Sequence, residues 1–352
     1  MKIQYPTLKT PLTIGVTAPS SGVEQHLHLL ITEAEKQLIQ RGMKVIIGNT
    51  TWTQLKGRST TKEKRVSELM DYLLDERIDV VMPPWGGSFL MELLPLIDWN
   101  ELKKAGPKWI LGYSDISTLS FVYTIMTGYA SAHGVYFTEL SAPQWDELSS
   151  KWIDVITCKT GHSITQSSSH YFQSSWEQVY KNPATGFYFD SETEWKVLNQ
   201  ERSNRMTGRL IGGCLNTLQI LIGTPFDYVQ SFINEYCSEE GTIWYLESVG
   251  MDAAKIYRAL WQLKYNGWFN KCNGVLIGRA GLYENLGDFT LVDALGDIFD
   301  EMGIPVFYEV DIGHVPPSIN SSEWSSWGSN SRRRKRYAKN AILLGKHIKR
   351  GP

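Results

Sequence analysis

A chain of 352 residues with 42% apolar and 20% charged residues has room for more than one core and the balance of a soluble globular protein. Its four cysteines, Cys158, Cys214, Cys237 and Cys272, form no C-x-x-C pair, so no disulfide framework or zinc motif is readable and they are expected as reduced thiols. The net charge of -2 conceals an acidic body, because nine of the 35 Lys and Arg residues lie between Arg332 and Arg350 and no acid follows Glu323, and an acidic body offers no footprint for nucleic acid.

The first residues, MKIQYPTLKTPLTIGV, lack the apolar stretch and small-residue cleavage site of a signal peptide. No apolar run approaches the ~18 residues that suggest a membrane span. A cytoplasmic protein without a membrane partner is expected.

Residues 12–18, LTIGVTA, read as a first strand closed by the turn residues PSSG. Leu27, Leu30, Ile31, Ala34 and Leu38 then recur at helical spacing up to Gly42. Residues 44–47 are a second strand, and Thr60 with Glu63 makes a capping box for a helix through Val66, Leu69, Met70 and Leu73. A third strand at 78–82 feeds PPWGGS, and a fourth at 109–112 feeds GYSD before the helix of Leu119, Val122, Tyr123 and Met126. Four strands alternating with helices predict an α/β fold with a doubly wound, mostly parallel sheet, whose ligands gather at the carboxyl ends of its strands.

Residues 149–200 are rich in Ser, Thr, Gln and aromatic residues. They read either as an interdomain linker with a small ribbon or as a loop that closes over a site. Alternation resumes with TGRLIGGC from Thr207, an apolar run ending at Glu247, a helix capped by Asp252, a strand at 274–278, a helix of Leu291, Leu295 and Ile298, and a strand at 306–310 delivering DIGHVPP. This predicts a second, smaller β/α lobe. The expected division is a nucleophile domain (1–150), a linker or insert over the cleft (151–205), a carboxyl-terminal domain (206–318) and an atypical basic tail (319–352) that reads as a disordered or out-of-frame terminus.

Ser114 stands on a strand-turn-helix, where a hydroxyl is lifted from the sheet beside the N–H groups of a helix start. A serine nucleophile needs a base, and of seven histidines only His133 and His314 lie beside strands. His314 is preferred because Gly313 and two prolines fix its loop at a strand end; His133 reads as a hydrogen-bonded interior residue. Glu247 ends the run WYLE, where a buried carboxylate needs a partner such as a histidine or a structural cation. G-Y-S-D-I lacks the second glycine of G-x-S-x-G, and PPWGGS and IGGC lack P-loop or dinucleotide spacing. Hydrolysis without a cofactor or metal is the expectation that survives.

The set GVTAPSS, PPWGGS, GYSDIS, TGRLIGGCLNTL, WYLES, GVLIGR and DIGHVPP resembles the LD-carboxypeptidase family of serine peptidases, and within it the branch that confers self-immunity to microcin C. The resemblance covers about residues 10–317. It implies a two-lobed fold, a Ser-Glu-His triad at Ser114, Glu247 and His314, oxyanion donors at the N–H groups of Asp115 and Gly87, a substrate wall at Gly86, and a cytoplasmic homodimer. One branch trims murein tetrapeptides; the immunity branch hydrolyses the amide joining an aminoacyl group to a modified nucleotide. The aromatic insert favours the second, with Trp195 and Phe187 as the expected platform for a nucleobase. A non-catalytic two-lobed binding protein is the rival from another class. The tail departs from the family, whose members complete the second lobe with strands there.

Overall fold

The structure, a computed structural model, describes residues 3–159, 162–199, 206–322, 326–328 and 341–345. Its first sheet is built from β1 (Thr13–Val16), β2 (Lys44–Ile47), β3 (Val80–Val81) and β4 (Trp109–Ile110), all parallel and ordered β2-β1-β3-β4. Alternation along each strand sorts its side chains onto two faces. Ile14, Val16, Val80, Met82 and Trp109 meet Ile31, Ala34 and Leu38 of α1 (His28–Gln40) on one face. On the other, Val81 and Ile110 meet Leu69 and Leu73 of α2 (Lys62–Leu74). The cap of α2 is Thr61, one residue beyond the expected Thr60, and its hydroxyl accepts from the Lys64 N–H.

A short strand, β5 (Ala132–His133), follows, and the insert then supplies β6 (Ser163–Ser167), a hairpin of β7 (Tyr171–Phe172) and β8 (Ser191–Glu192), and β9 (Lys196–Val197). The second sheet has a parallel centre of β10 (Thr207–Cys214), β11 (Thr242–Glu247), β12 (Cys272–Gly278) and β13 (Val306–Val310). Three more strands come from the carboxyl-terminal stretch: β14 (Ser321–Ser322), β15 (Ser326–Gly328) and β16 (Ala341–Gly345). The eight-stranded order is β6-β16-β15-β10-β11-β12-β13-β9.

Two sequence expectations are corrected here. The insert is more than a linker or lid, since β6 and β9 form the two edges of the second sheet. The stretch after Ser318 is not foreign to the fold: β15 pairs with β10, β16 pairs with β6, and β14 pairs with β5 of the first lobe. The second lobe thereby carries the wider sheet. The basic run 332–336 lies outside the described residues.

The lobes share one helix. α3 (Ile116–Thr127) is buried on nearly every side, as a helix apolar all round must be. Its Ile116, Leu119 and Tyr123 enter the first core, while Phe121, Val122 and Ile125 enter the second. There Phe121 stacks on Trp268 at 5.3 Å between ring centroids, and Trp268 stacks on Trp244 of β11 at 5.5 Å. Ser117 completes the joint, its hydroxyl accepting from the Cys214 N–H at 3.1 Å. The residue just before this helix is therefore fixed relative to both sheets.

Candidate active site

Ser114 lies between β4 and α3 with φ +52, a left-handed backbone that costs a non-glycine residue of order 1 kcal/mol or more. Such a turn points the side chain away from the sheet. Its neighbour across the cleft is Gly86, where a Cβ would come within 3.1 Å of the Ser114 hydroxyl and 2.7 Å of the Tyr136 hydroxyl. Only glycine lets that loop approach so closely.

Glu247 is the last residue of β11, 2% exposed, opposite Cys214 in the register of β10. His314 follows β13 on a loop that Gly313 brings against Glu247; with φ +92, a Cβ at Gly313 would stand 2.5 Å from the glutamate side chain. The imidazole joins the three residues. Its Nδ1 is 2.7 Å from Glu247 Oε2 and its Nε2 is 2.8 Å from Ser114 Oγ. Burial works to lower the pKa of His314, but the charge and hydrogen bond of Glu247 outweigh it and hold the pKa above 6.5. Burial equally works to raise the pKa of Glu247, and the imidazole outweighs it to hold the carboxylate below 4.5.

A cleft of about 360 Å³ opens over these groups, lined by Ser21, Gln54, Trp85, Gly86, Gly87, Ser114, Tyr136 and His314. Among the described residues, neither the Asp115 N–H nor the Gly87 N–H has an acceptor. Both stand beside Ser114, one at the helix start and one in the facing turn. The turn is held from behind: Arg65, wholly buried, donates to the carbonyls of Pro19 and Phe89 and to Glu92. Asp115 ties the same loops, its carboxylate accepting from the Ser20 hydroxyl at 2.5 Å and the Leu90 N–H at 2.9 Å.

Donor atoms of Cys214, Glu247 and His314 lie within 4.8 Å of one another, the spacing of a metal site. Both imidazole nitrogens of this cluster are already engaged, Nδ1 by Glu247 and Nε2 by Ser114, and burial pushes the Cys214 thiol well above its usual range.

Models of the LD-carboxypeptidase N-terminal and C-terminal domains match residues 14–134 and 207–321, most of the chain between them. The chain belongs to the LD-carboxypeptidase family. It is a serine carboxypeptidase-like hydrolase with the α/β fold of that family. Among LD-carboxypeptidase relatives, it is 26% identical to the microcin C7 self-immunity protein MccF of Escherichia coli, over 91% of this chain and 92% of that protein. It is 24% identical to the murein tetrapeptide carboxypeptidase of Pseudomonas aeruginosa, over 96% and 94% of the two chains. The solved structure of MccF with aspartyl sulfamoyl adenosine superposes with a TM-score of 0.80 at 21% identity, covering 98% of both chains.

Of the site residues expected for an LD-carboxypeptidase, Ser114, Glu247, His314, Gly86, Gly87 and Asp115 come together at the cleft. Trp195 does not, and that expectation is corrected. It is 7% exposed, packs with Leu210, Tyr245 and Phe307, and donates its indole N–H to Asp311 at 2.7 Å. A ring enclosed by the core and held at its polar end has no free face for a base. Phe187 is half-buried and stands edge to face with Trp176, centroids 6.0 Å apart. Trp176 in turn donates to the backbone carbonyl of His314 at 3.2 Å.

Two residues were missed from sequence. Trp176 sits in a serine-rich run that gives no hint of its neighbour. Asp311 is wholly buried under the His314 loop, where it accepts from Ser169, Trp195 and Arg279. The DIGH motif carries the signal for Asp311, an acid at the end of a strand. His133 is interior as expected, yet neither ring nitrogen has a hydrogen-bond partner, and burial pulls its pKa down to about 4.

Proposed function

We propose that this chain hydrolyses the amide bond of aminoacyl- or peptidyl-nucleotide conjugates through an acyl-enzyme, with Ser114 as nucleophile, His314 as general base and acid, and Glu247 as the group that holds the imidazole. The observation that carries the reading is the unbroken hydrogen-bonded line Glu247–His314–Ser114 at the floor of the cleft. Attack of the Ser114 oxygen on the carbonyl passes its proton to Nε2, and Glu247 stabilises the imidazolium that forms. The N–H groups of Asp115 and Gly87 receive the oxyanion, a contribution of about 3–4 kcal/mol per donor in such sites. Collapse expels the amine, which takes the proton from His314; water then repeats the sequence on the acyl-enzyme.

Support for a nucleotide-bearing leaving part comes from the aromatic pair Trp176 and Phe187 beside the His314 loop and from the aspartyl sulfamoyl adenosine bound by the related MccF. We take Trp176, rather than Trp195, as the stacking residue. Action in the cytoplasm as a homodimer belongs to the same reading and rests on the family resemblance. Among the described residues no helix is long and apolar enough to cross a membrane.

The test is to incubate wild type and Ser114→Ala with an aspartyl sulfamoyl adenosine conjugate and with an L,D-linked tetrapeptide, and to follow products by mass spectrometry. Cleavage of the conjugate by wild type alone is expected. Equal rates in the variant would sink the serine mechanism, turnover of the tetrapeptide alone would give the protein a murein-trimming role, and binding without products would make it a binding protein.

A further inference from the structure

One buried acid near the cleft has no part in the chemistry just described. Glu139 lies in the short helical turn Phe137–Ser141, and although the residue is partly exposed, its carboxyl group is enclosed. One oxygen accepts from the Tyr113 hydroxyl at 2.7 Å and the other from the Tyr136 N–H at 3.0 Å. Tyr136 in turn donates its hydroxyl to the Tyr113 carbonyl at 2.6 Å, and the two rings stack at 4.1 Å. Tyr113 is thus clamped at its hydroxyl, its ring and its backbone. It immediately precedes Ser114, and its ring stands edge to face with the His314 imidazole, centroids 5.2 Å apart and planes at 84°.

We propose that Glu139 is a second acidic positioning residue of this site, acting on the His314 imidazole through the clamped ring of Tyr113. The proposal rests on the reading of Ser114, Glu247 and His314 as a catalytic triad. Two effects follow from the geometry. The hydroxyl bond to Glu139 fixes the plane of Tyr113, whose ring stands against the imidazole. The carboxylate also adds a negative charge behind the imidazole, in an enclosed setting where screening is weak.

Burial raises the pKa of Glu139 to about 7, against the opposing pull of its Tyr113 and Tyr136 donors. The other ionisable groups that reach it are Asp146 and His314. Those that reach His314 are Glu247 and Glu139, with neutral His133 beyond. An ionised Glu139 favours the imidazolium and raises the pKa of His314; a protonated Glu139 does not. As pH falls through 7, Glu139 takes up a proton, its hold on the imidazolium weakens, and His314 keeps its basic form to lower pH. Two coupled sites of this kind titrate over a broader range than one.

The experiment is a titration of His314 by NMR in full-length protein with labelled histidine, paired with the pH profile of kcat/KM for the conjugate. In wild type the His314 resonances should report a second ionisation near 7, and the acid limb should be shallower than a one-proton curve. Glu139→Gln, which keeps an acceptor for Tyr113 but removes the charge, should lower the pKa of His314 by about half a unit or more and sharpen the limb to one proton. KM should hold. Tyr113→Phe should move the pKa the same way, because Glu139 loses the donor that favours its ionised form. A wild-type curve with one step, or a Glu139→Gln midpoint within about 0.2 units of wild type, overturns the proposal; a shift in Glu139→Gln with none in Tyr113→Phe overturns the route through the ring. Because NMR reads the imidazole directly, these outcomes are separate from whether Ser114→Ala abolishes hydrolysis.

Discussion

The two lobes hold their contributions to the cleft by different means. Ser114 is placed by backbone: a left-handed turn, a glycine pressed against it, and a helix buried in both cores. His314 is placed by charge: Glu247 on its Nδ1, and beneath its loop the carboxylate of Asp311 gripped by Arg279, Ser169 and Trp195. Geometry that rests on packing tolerates changes of charge and fails with changes of shape. Geometry that rests on ion pairs does the reverse, because a buried charge left without its partner costs more than the pair contributes.

The largest effects should come from the reacting line itself. Ser114→Ala should lower kcat/KM by about 10⁴-fold or more while leaving the thermal midpoint near wild type, since it removes one oxygen from a packed turn. Glu247→Gln should also cost about 10⁴-fold, because the amide cannot stabilise the imidazolium. A small loss in Glu247→Gln would put the acid elsewhere and break the contrast between the lobes. Next in size is Asp311→Ala, which strands the buried Arg279 and should destabilise the protein by about 3–5 kcal/mol in denaturant titration. Trp176→Ala should raise KM for the nucleotide conjugate about tenfold, in line with the loss of one stacked base, and leave kcat nearly unchanged. The smallest is Trp195→Phe: about 1 kcal/mol of stability for its bond to Asp311, with KM unmoved. A rise in KM there would return Trp195 to the substrate.

The contrast also has a pH signature. In the proposed mechanism His314 is a base only when neutral, and its pKa is held above 6.5, so kcat/KM should rise through a midpoint above 6.5 as pH increases. Glu247→Gln removes the negative partner, and the midpoint should fall below the wild-type value.

Much of this was readable in the chain because strands that deliver a functional group end abruptly. WILGYS, WYLES and VDIGH each break an apolar run with glycine or a polar side chain, and β4, β11 and β13 end at or just before those points. What could not be read depends on distant partners. An aromatic residue in a polar insert carries no mark of its burial, and Trp195 becomes interior through Asp311, 116 positions away in sequence. Strands pair by backbone, so the short β14 and β15 join their neighbours without an apolar alternation to announce them. The cap of α2 moved by one residue because Thr60 and Thr61 offer the same chemistry.

The pairing of β5 with β14 bears on how the protein comes into being. Ser114 and His314 are 200 positions apart, and Ser321–Ser322 return to lie against Ala132–His133 of the first lobe. On the ribosome the first lobe can collapse around its serine while the strand that will deliver the histidine is still unmade. On the proposed mechanism, a nascent chain therefore carries the nucleophile without its base. If the proposed triad does the chemistry, hydrolytic power arrives late in synthesis, and a product cut short before the DIGH loop should be inert toward its substrate however well its amino-terminal half had folded.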